Sequence, residues 1–122
     1  MALKRREKLA ELAAKYDVYV LEDNPYGEIR FKGQHVPAVK SFDKTGHVFY
    51  MGTFSKTLAP GFRLGWVVAD EAVVNKLTVL KQSADLHTDN LAQYAVVEFL
   101  KHNDLDAHVK QISDLYGQRK AL

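Results

Sequence analysis

Two short runs, Val18 to Leu21 and Val48 to Met51, constrain this chain most, because each is apolar throughout and each stops at a polar cluster. A strand with one solvated face alternates apolar and polar residues, whereas a strand covered on both faces reads as a continuous apolar run. Both runs therefore predict short buried parallel strands. Leu9, Leu12, Ala13 and Tyr16 recur at helical spacing ahead of the first run, so about Ala2 to Lys15 is expected to be an amphipathic helix lying on the sheet. The polar clusters, Glu22-Asp23-Asn24-Pro25 and Gly52 to Lys56, then fall at the carboxyl ends of the strands, where open α/β sheets place ligands.

The segment Gly27 to Gly46 carries Gly33, Pro37 and the turn-like Asp43-Lys-Thr-Gly46, and reads as a connecting loop with a short extended piece. Leu64 to Ala69 makes a third strand, separated from the second by a loop holding Pro60 and Gly61. Asp70 can cap a helix with Val73, Val74, Leu77 and Leu80 on one stripe, and Thr88 or Asp89 can cap another that runs to about His102. Leu91, Tyr94, Val96, Val97, Phe99 and Leu100 leave that second helix little polar face, so burial between other elements is expected. A last helix carries Leu105, Val109, Ile112 and Tyr116 in a stripe.

Length and charge narrow the function classes. A chain of 122 residues fits one small domain. Its 17 basic and 15 acidic residues are interspersed, which argues against a nucleic-acid footprint or a polybasic membrane anchor. Lys4-Arg5-Arg6, followed by Glu7 and Glu11, reads as a solvated helix face. No apolar run reaches membrane-spanning length. The absence of cysteine rules out disulfides and permits a cytoplasmic location. His35, His47, His87, His102 and His108 show no metal-ligand spacing with carboxylates.

The chemistry concentrates in Gly52-Thr-Phe-Ser-Lys-Thr-Leu-Ala-Pro-Gly-Phe-Arg-Leu-Gly-Trp66, where Lys56 stands among hydroxyls, glycines and Arg63. The glycine and lysine positions do not match the spacing of a nucleotide-binding P-loop. An amine beside groups able to hold a phosphate suits a covalently bound, phosphorylated aldehyde cofactor. Gly52, Gly61 and Gly65 are read as structural, allowing close backbone approach around the lysine. Together with Asp23-Asn-Pro-Tyr26, this string resembles the lysine motif of fold-type I pyridoxal 5'-phosphate (PLP) enzymes, especially class I/II aminotransferases.

The resemblance implies a three-layer αβα fragment of the large, cofactor-binding domain, its sheet mostly parallel with one antiparallel strand. It casts Lys56 as the residue joined to PLP in a Schiff base, and afterwards as the proton shuttle. Thr53, Ser55 and Arg63 resemble the phosphate ligands, with threonine at 53 keeping the hydroxyl of the serine found in many relatives. Asp23 resembles the partner of the pyridine nitrogen, and Tyr26 the phenol that hydrogen-bonds the ring oxygen. Residues 1–115 would belong to the large domain and 116–122 would begin the segment leading to a small C-terminal domain.

A glycine-rich phosphate loop, a ring-stacking aromatic and an asparagine near the ring oxygen are expected before residue 1, and the arginine for the substrate carboxylate beyond Leu122. Arg119 is not offered in its place. The parent is expected to be a cytoplasmic homodimer that transfers an amino group between an amino acid and a 2-oxo acid, with no nucleic acid, metal or membrane involved. Asp-Asn-Pro-Tyr-Gly-Glu-Ile-Arg-Phe looks most like enzymes acting on aromatic, branched or 2-aminoadipate-type amino acids. The isolated fragment is expected to be inactive or to bind PLP weakly, and to self-associate through bared apolar faces. The alternative is a PLP-sensing, aminotransferase-like effector domain of a helix-turn-helix transcription regulator.

Overall fold

In the computed structural model, which describes residues 1–121, helix α1 (Leu3–Tyr16) runs one residue beyond its expected bounds at its C-terminal end. Asp17 closes it in the left-handed region, φ 52°, donating its N–H to the Ala13 carbonyl. The chain then turns into β1 (Val20–Asp23), which begins two residues later than the apolar run because pairing starts only where Val20 meets β2. β2 (Val48–Thr53) continues past its apolar run to Thr53. The two strands are parallel, with Val20 opposite Val48 and Asp23 opposite Met51. β3 (Gly65–Val68) returns antiparallel on the other side of β2, Tyr50 opposite Val68 and Thr53 opposite Gly65. The result is a mixed three-stranded sheet in the order β1-β2-β3, flanked by helices.

The 27–46 connection contains a 3₁₀ turn, Val39–Phe42, in place of the expected extended piece. Glu22 explains it. Its carboxylate accepts hydrogen bonds from Val39 N at 2.9 Å and Lys40 N at 3.0 Å, satisfying the free amides of that turn, and from Arg6 Nη1 of α1 at 3.1 Å. One charged side chain thereby ties α1, β1 and the connection together, and Ala10, Val39 and Val48 pack into a core beneath it. Asp43 closes the next turn by accepting from the backbone of Thr45, His47 and Val48 and from Lys40 Nζ. Burial pushes the Asp43 carboxyl up, but these four donors outweigh it and hold the group well below the usual carboxylate range.

A second core forms around Leu64, Ala92 and Val96, with Phe54, Leu58 and Phe62 packed against it. It joins the loop after β2 to α4 (Asn90–His102), whose cap is Asp89, accepting from Ala92 N. α3 (Glu71–Asp85) is capped by Asp70 and α5 (Leu105–Lys120) by Asp104. Two burial expectations fail. α4 buries only Ala92 and Val96, leaving Leu91 78% and Tyr94 71% exposed. β1 alternates half-buried and exposed residues, with Leu21 facing solvent. In both elements one side packs and no described residue covers the other; β3 is exposed along its whole length.

Candidate functional site

The site is assembled where β2 stops. Thr53 ends the strand in extended backbone and caps the single turn α2 (Phe54–Thr57), its Oγ1 accepting from Ser55 N at 3.1 Å. Its own hydroxyl donates to the Leu64 carbonyl at 2.8 Å, and that carbonyl also receives Phe54 N at 3.0 Å. The two ends of the lysine loop are thus sewn together from inside. Ser55 Oγ lies 3.0 Å from Thr53 Oγ1. Lys56, one residue on, is exposed, and its ammonium sits 5.4 Å from the centre of the Tyr26 ring.

Asp23 reaches the same end of the sheet on the neighbouring strand, opposite Met51. Asn24 secures that end, donating its N–H to the Met51 carbonyl at 3.0 Å and its carboxamide to the Tyr50 hydroxyl at 3.1 Å. The tight turn this makes needs Gly27, because a Cβ there would overlap the Asn24 carboxamide. Tyr26 projects from the turn, 60% exposed.

Arg63 follows a 3₁₀ turn, Pro60–Phe62, and holds φ 52° without being glycine. That conformation costs about 1–2 kcal/mol. Burial of Leu64 and the two bonds to its carbonyl hold the next residue in place and so fix the turn, on which Arg63 Nη1 donates back to the Pro60 carbonyl at 3.5 Å.

Lys56, Ser55 and Tyr26 line one groove of about 840 Å³. Asp23 and Arg63 stand at neighbouring backbone positions but are not among its lining residues. The opposite wall comes from α5, with Leu115, Tyr116, Arg119 and Lys120, and from Ile29 and Phe31 of the loop after β1. Sequence reasoning placed Tyr116 in a helical stripe and set Arg119 aside. No local pattern marks α5 as a groove wall, since only the return of the 28–33 loop onto it creates the space. The one available signal is Gly117, where a Cβ would stand 3.2 Å from that of Phe31.

The family model for aminotransferase class I and II matches residues 1–122, the whole sequence. This chain belongs to that family. The aromatic-amino-acid aminotransferase 1 of Thermococcus litoralis is 45% identical over 96% of this aminotransferase-family chain, which spans 28% of that relative. The crystal structure of the Pyrococcus horikoshii kynurenine aminotransferase, in complex with PMP, superposes with a TM-score of 0.95 at 42% identity, over 99% of this chain and 30% of that one. The uncharacterized HTH-type transcriptional regulator YisV of Bacillus subtilis is 30% identical over 98% of this chain and 25% of its own length. This aminotransferase-family chain therefore spans less than a third of the relatives it matches. Its fold is that of an αβα piece of an aminotransferase. Among its described residues no helix is long and apolar enough to cross a membrane, and no three or more His, Asp or Glu residues are grouped to hold a metal.

Proposed function

We propose that this chain is the lysine-bearing part of a PLP-dependent aminotransferase whose full-length protein exchanges an amino group between an amino acid and a 2-oxo acid. The observation that carries the reading is the convergence of Lys56, Ser55 and Tyr26 on one groove at the carboxyl end of the sheet, with Asp23 ending the adjacent strand. The donor set suits the cofactor. A primary amine meets an aldehyde, and the Ser55 hydroxyl and Arg63 guanidinium match a phosphate ester of about −1.5 to −2 charge. The Asp23 carboxylate suits a ring nitrogen and the Tyr26 phenol a ring oxygen. Thr53, whose hydroxyl hydrogen is directed at Leu64, serves the phosphate chiefly by placing Ser55.

When bound, PLP supplies an aldehyde that captures amines and a ring that accepts the electrons of the bond broken at the substrate α-carbon. The protein's part is to hold and move protons. Lys56 Nζ would carry the proton to and from that α-carbon, Asp23 would keep a proton on the ring nitrogen, and Arg63 would hold the phosphate. Residues 1–115 are assigned to the large domain and 116–122 to the start of the connection to a small one. Since α5 crosses residue 116 unbroken, that connection would be stiff. A cytoplasmic homodimer is the assembly we assign to the parent.

The test is amino transfer by the full-length protein with PLP and paired amino and 2-oxo acids. Lys56→Ala is expected to lower turnover by at least about 10²–10⁴-fold, the range for loss of a proton-transferring group. Retention of wild-type turnover in that variant would reject the reading. A second reading is favoured by the similarity to YisV: an effector domain that senses PLP in a transcription regulator. Full-length protein that binds DNA in a PLP-dependent manner and transfers no amino group would establish it instead.

A further inference from the structure

The two strands that deliver the site are joined across their ends by a side-chain bond outside the groove. The Asn24 carboxamide donates to the Tyr50 hydroxyl at 3.1 Å, in a partly buried contact. Tyr50 lies on β2, the strand that runs directly into α2 and Lys56. Asn24 follows Asp23 and opens the turn that carries Tyr26. The bond therefore ties the segment holding the amine to the segment holding the carboxylate and the phenol.

Asn24 is also where the pairing of β1 stops. Its N–H continues the ladder past Asp23, donating to the Met51 carbonyl at 3.0 Å, and Pro25, which has no N–H, ends it. A residue before proline is held in extended backbone, so the pleat carries on through Asn24. Glu22, opposite Tyr50, and Asn24 then share one face of the sheet, while Asp23, opposite Met51, points to the other. Holding the Asn24 side chain against Tyr50 thus fixes the direction in which the Asp23 carboxylate leaves the strand. Gly27 closes on the carboxamide from the far side of the turn, where a Cβ would overlap it. Tyr26 is held between these contacts, its carbonyl accepting from Ile29 N at 3.1 Å and its ring centre 5.4 Å from the Lys56 ammonium.

We propose that Asn24 and Tyr50 are positioning residues for amino transfer, their hydrogen bond holding Asp23 and Tyr26 in register with Lys56. The proposal rests on the aminotransferase reading above. Such register matters to rate, because a misplacement of about 1 Å caused far from the chemistry can cost about 10²-fold. The test uses the full-length protein with Asn24→Ala, Tyr50→Phe and the double variant. Each single variant is expected to lower kcat by about 5- to 50-fold, with the KM of the amino donor changed by no more than about twofold. The double variant should be about as slow as the slower single one, since both remove the same bond. In the PLP-free protein, amide hydrogen exchange over residues 23–29 should quicken about fivefold or more in each variant, while α3 exchanges as in wild type. Asp70→Ala, which removes the cap of α3, is the control: it should lower the thermal midpoint and leave kcat within about twofold.

Unchanged kcat in both single variants, or losses that multiply in the double variant, would overturn the positioning role. So would a fall in kcat for Asp70→Ala equal to that of Tyr50→Phe. Tyr50→Phe removes one oxygen and keeps the ring, so it carries the kcat and exchange comparisons if Asn24→Ala does not fold. Failure of wild-type protein to transfer from any donor would instead overturn the aminotransferase reading, and the positioning role with it.

Discussion

Thr53 shows how a single side chain can set a reactive loop. Its oxygen caps α2 through Ser55 N while its hydrogen ties the strand end to Leu64, so substitution acts on the whole loop. Thr53→Ser, which keeps both bonds, is expected to leave stability within about 0.5 kcal/mol. Thr53→Val keeps the shape and loses both bonds, and should cost about 1–2 kcal/mol in denaturant unfolding of the full-length protein, with weaker PLP affinity. Asp43 makes a separate prediction. Its carboxyl is depressed in the folded chain, so the stability it contributes is present above the unfolded carboxylate pKa of about 3.9 and is lost as pH falls toward the folded value. Asp43→Asn should lower the thermal midpoint at pH 7 and flatten its fall below pH 4, as measured by melts across that range. At this scale the meeting of Ser55 and Lys56 with Tyr26 in one groove was legible, because Ser55 and Lys56 are contiguous after one strand and Tyr26 lies in the turn after another. The α5 side of the groove was not, since its residues are remote in sequence from that cluster.

At the scale of elements, the turn of β2 into β3 depends on what is missing at residue 52. A Cβ on Gly52 would overlap the indole of Trp66, its partner across the antiparallel pair, and a Cβ on Gly65 would stand 3.0 Å from the Gly52 carbonyl. The indole thus lies close over the strand end from which the lysine loop departs, tilted against Phe54 at 4.8 Å between ring centres. Gly52→Ala is expected to push Trp66 aside and destabilise by about 1–3 kcal/mol, the cost of overpacking. A shift in tryptophan fluorescence, from the only tryptophan in the chain, reads it directly.

Helices α1 and α4 and all three strands were legible within about two residues, and α3 and α5 were legible from their apolar stripes, α3 also from its cap, since periodicity and caps act locally. The 3₁₀ turn at Val39–Phe42 was not, because it forms around the carboxylate of Glu22, which arrives from β1. Burial of α4 was misjudged for the opposite reason: the apolar residues are there, and the described chain supplies cover to only one side.

For the whole molecule, the accessible surface is 9073 Å². A compact monomer of 13.8 kDa would expose about 6,600 Å². The excess is large and much of it is apolar, including Leu80, Leu86, Leu91 and Tyr94. The 122 residues alone are therefore expected to self-associate in light scattering and to bind a hydrophobic dye, while the full-length protein should be monodisperse. A monodisperse, dye-silent monomer of the 122 residues would contradict that expectation.

The central claim is that one particular amine takes the cofactor, and borohydride reduction of the full-length protein with PLP, followed by peptide mass mapping, addresses it most directly. The account requires a single phosphopyridoxyl adduct on the peptide containing Lys56, absent from Lys56→Ala. An adduct confined to another lysine, or none at saturating PLP, would contradict it.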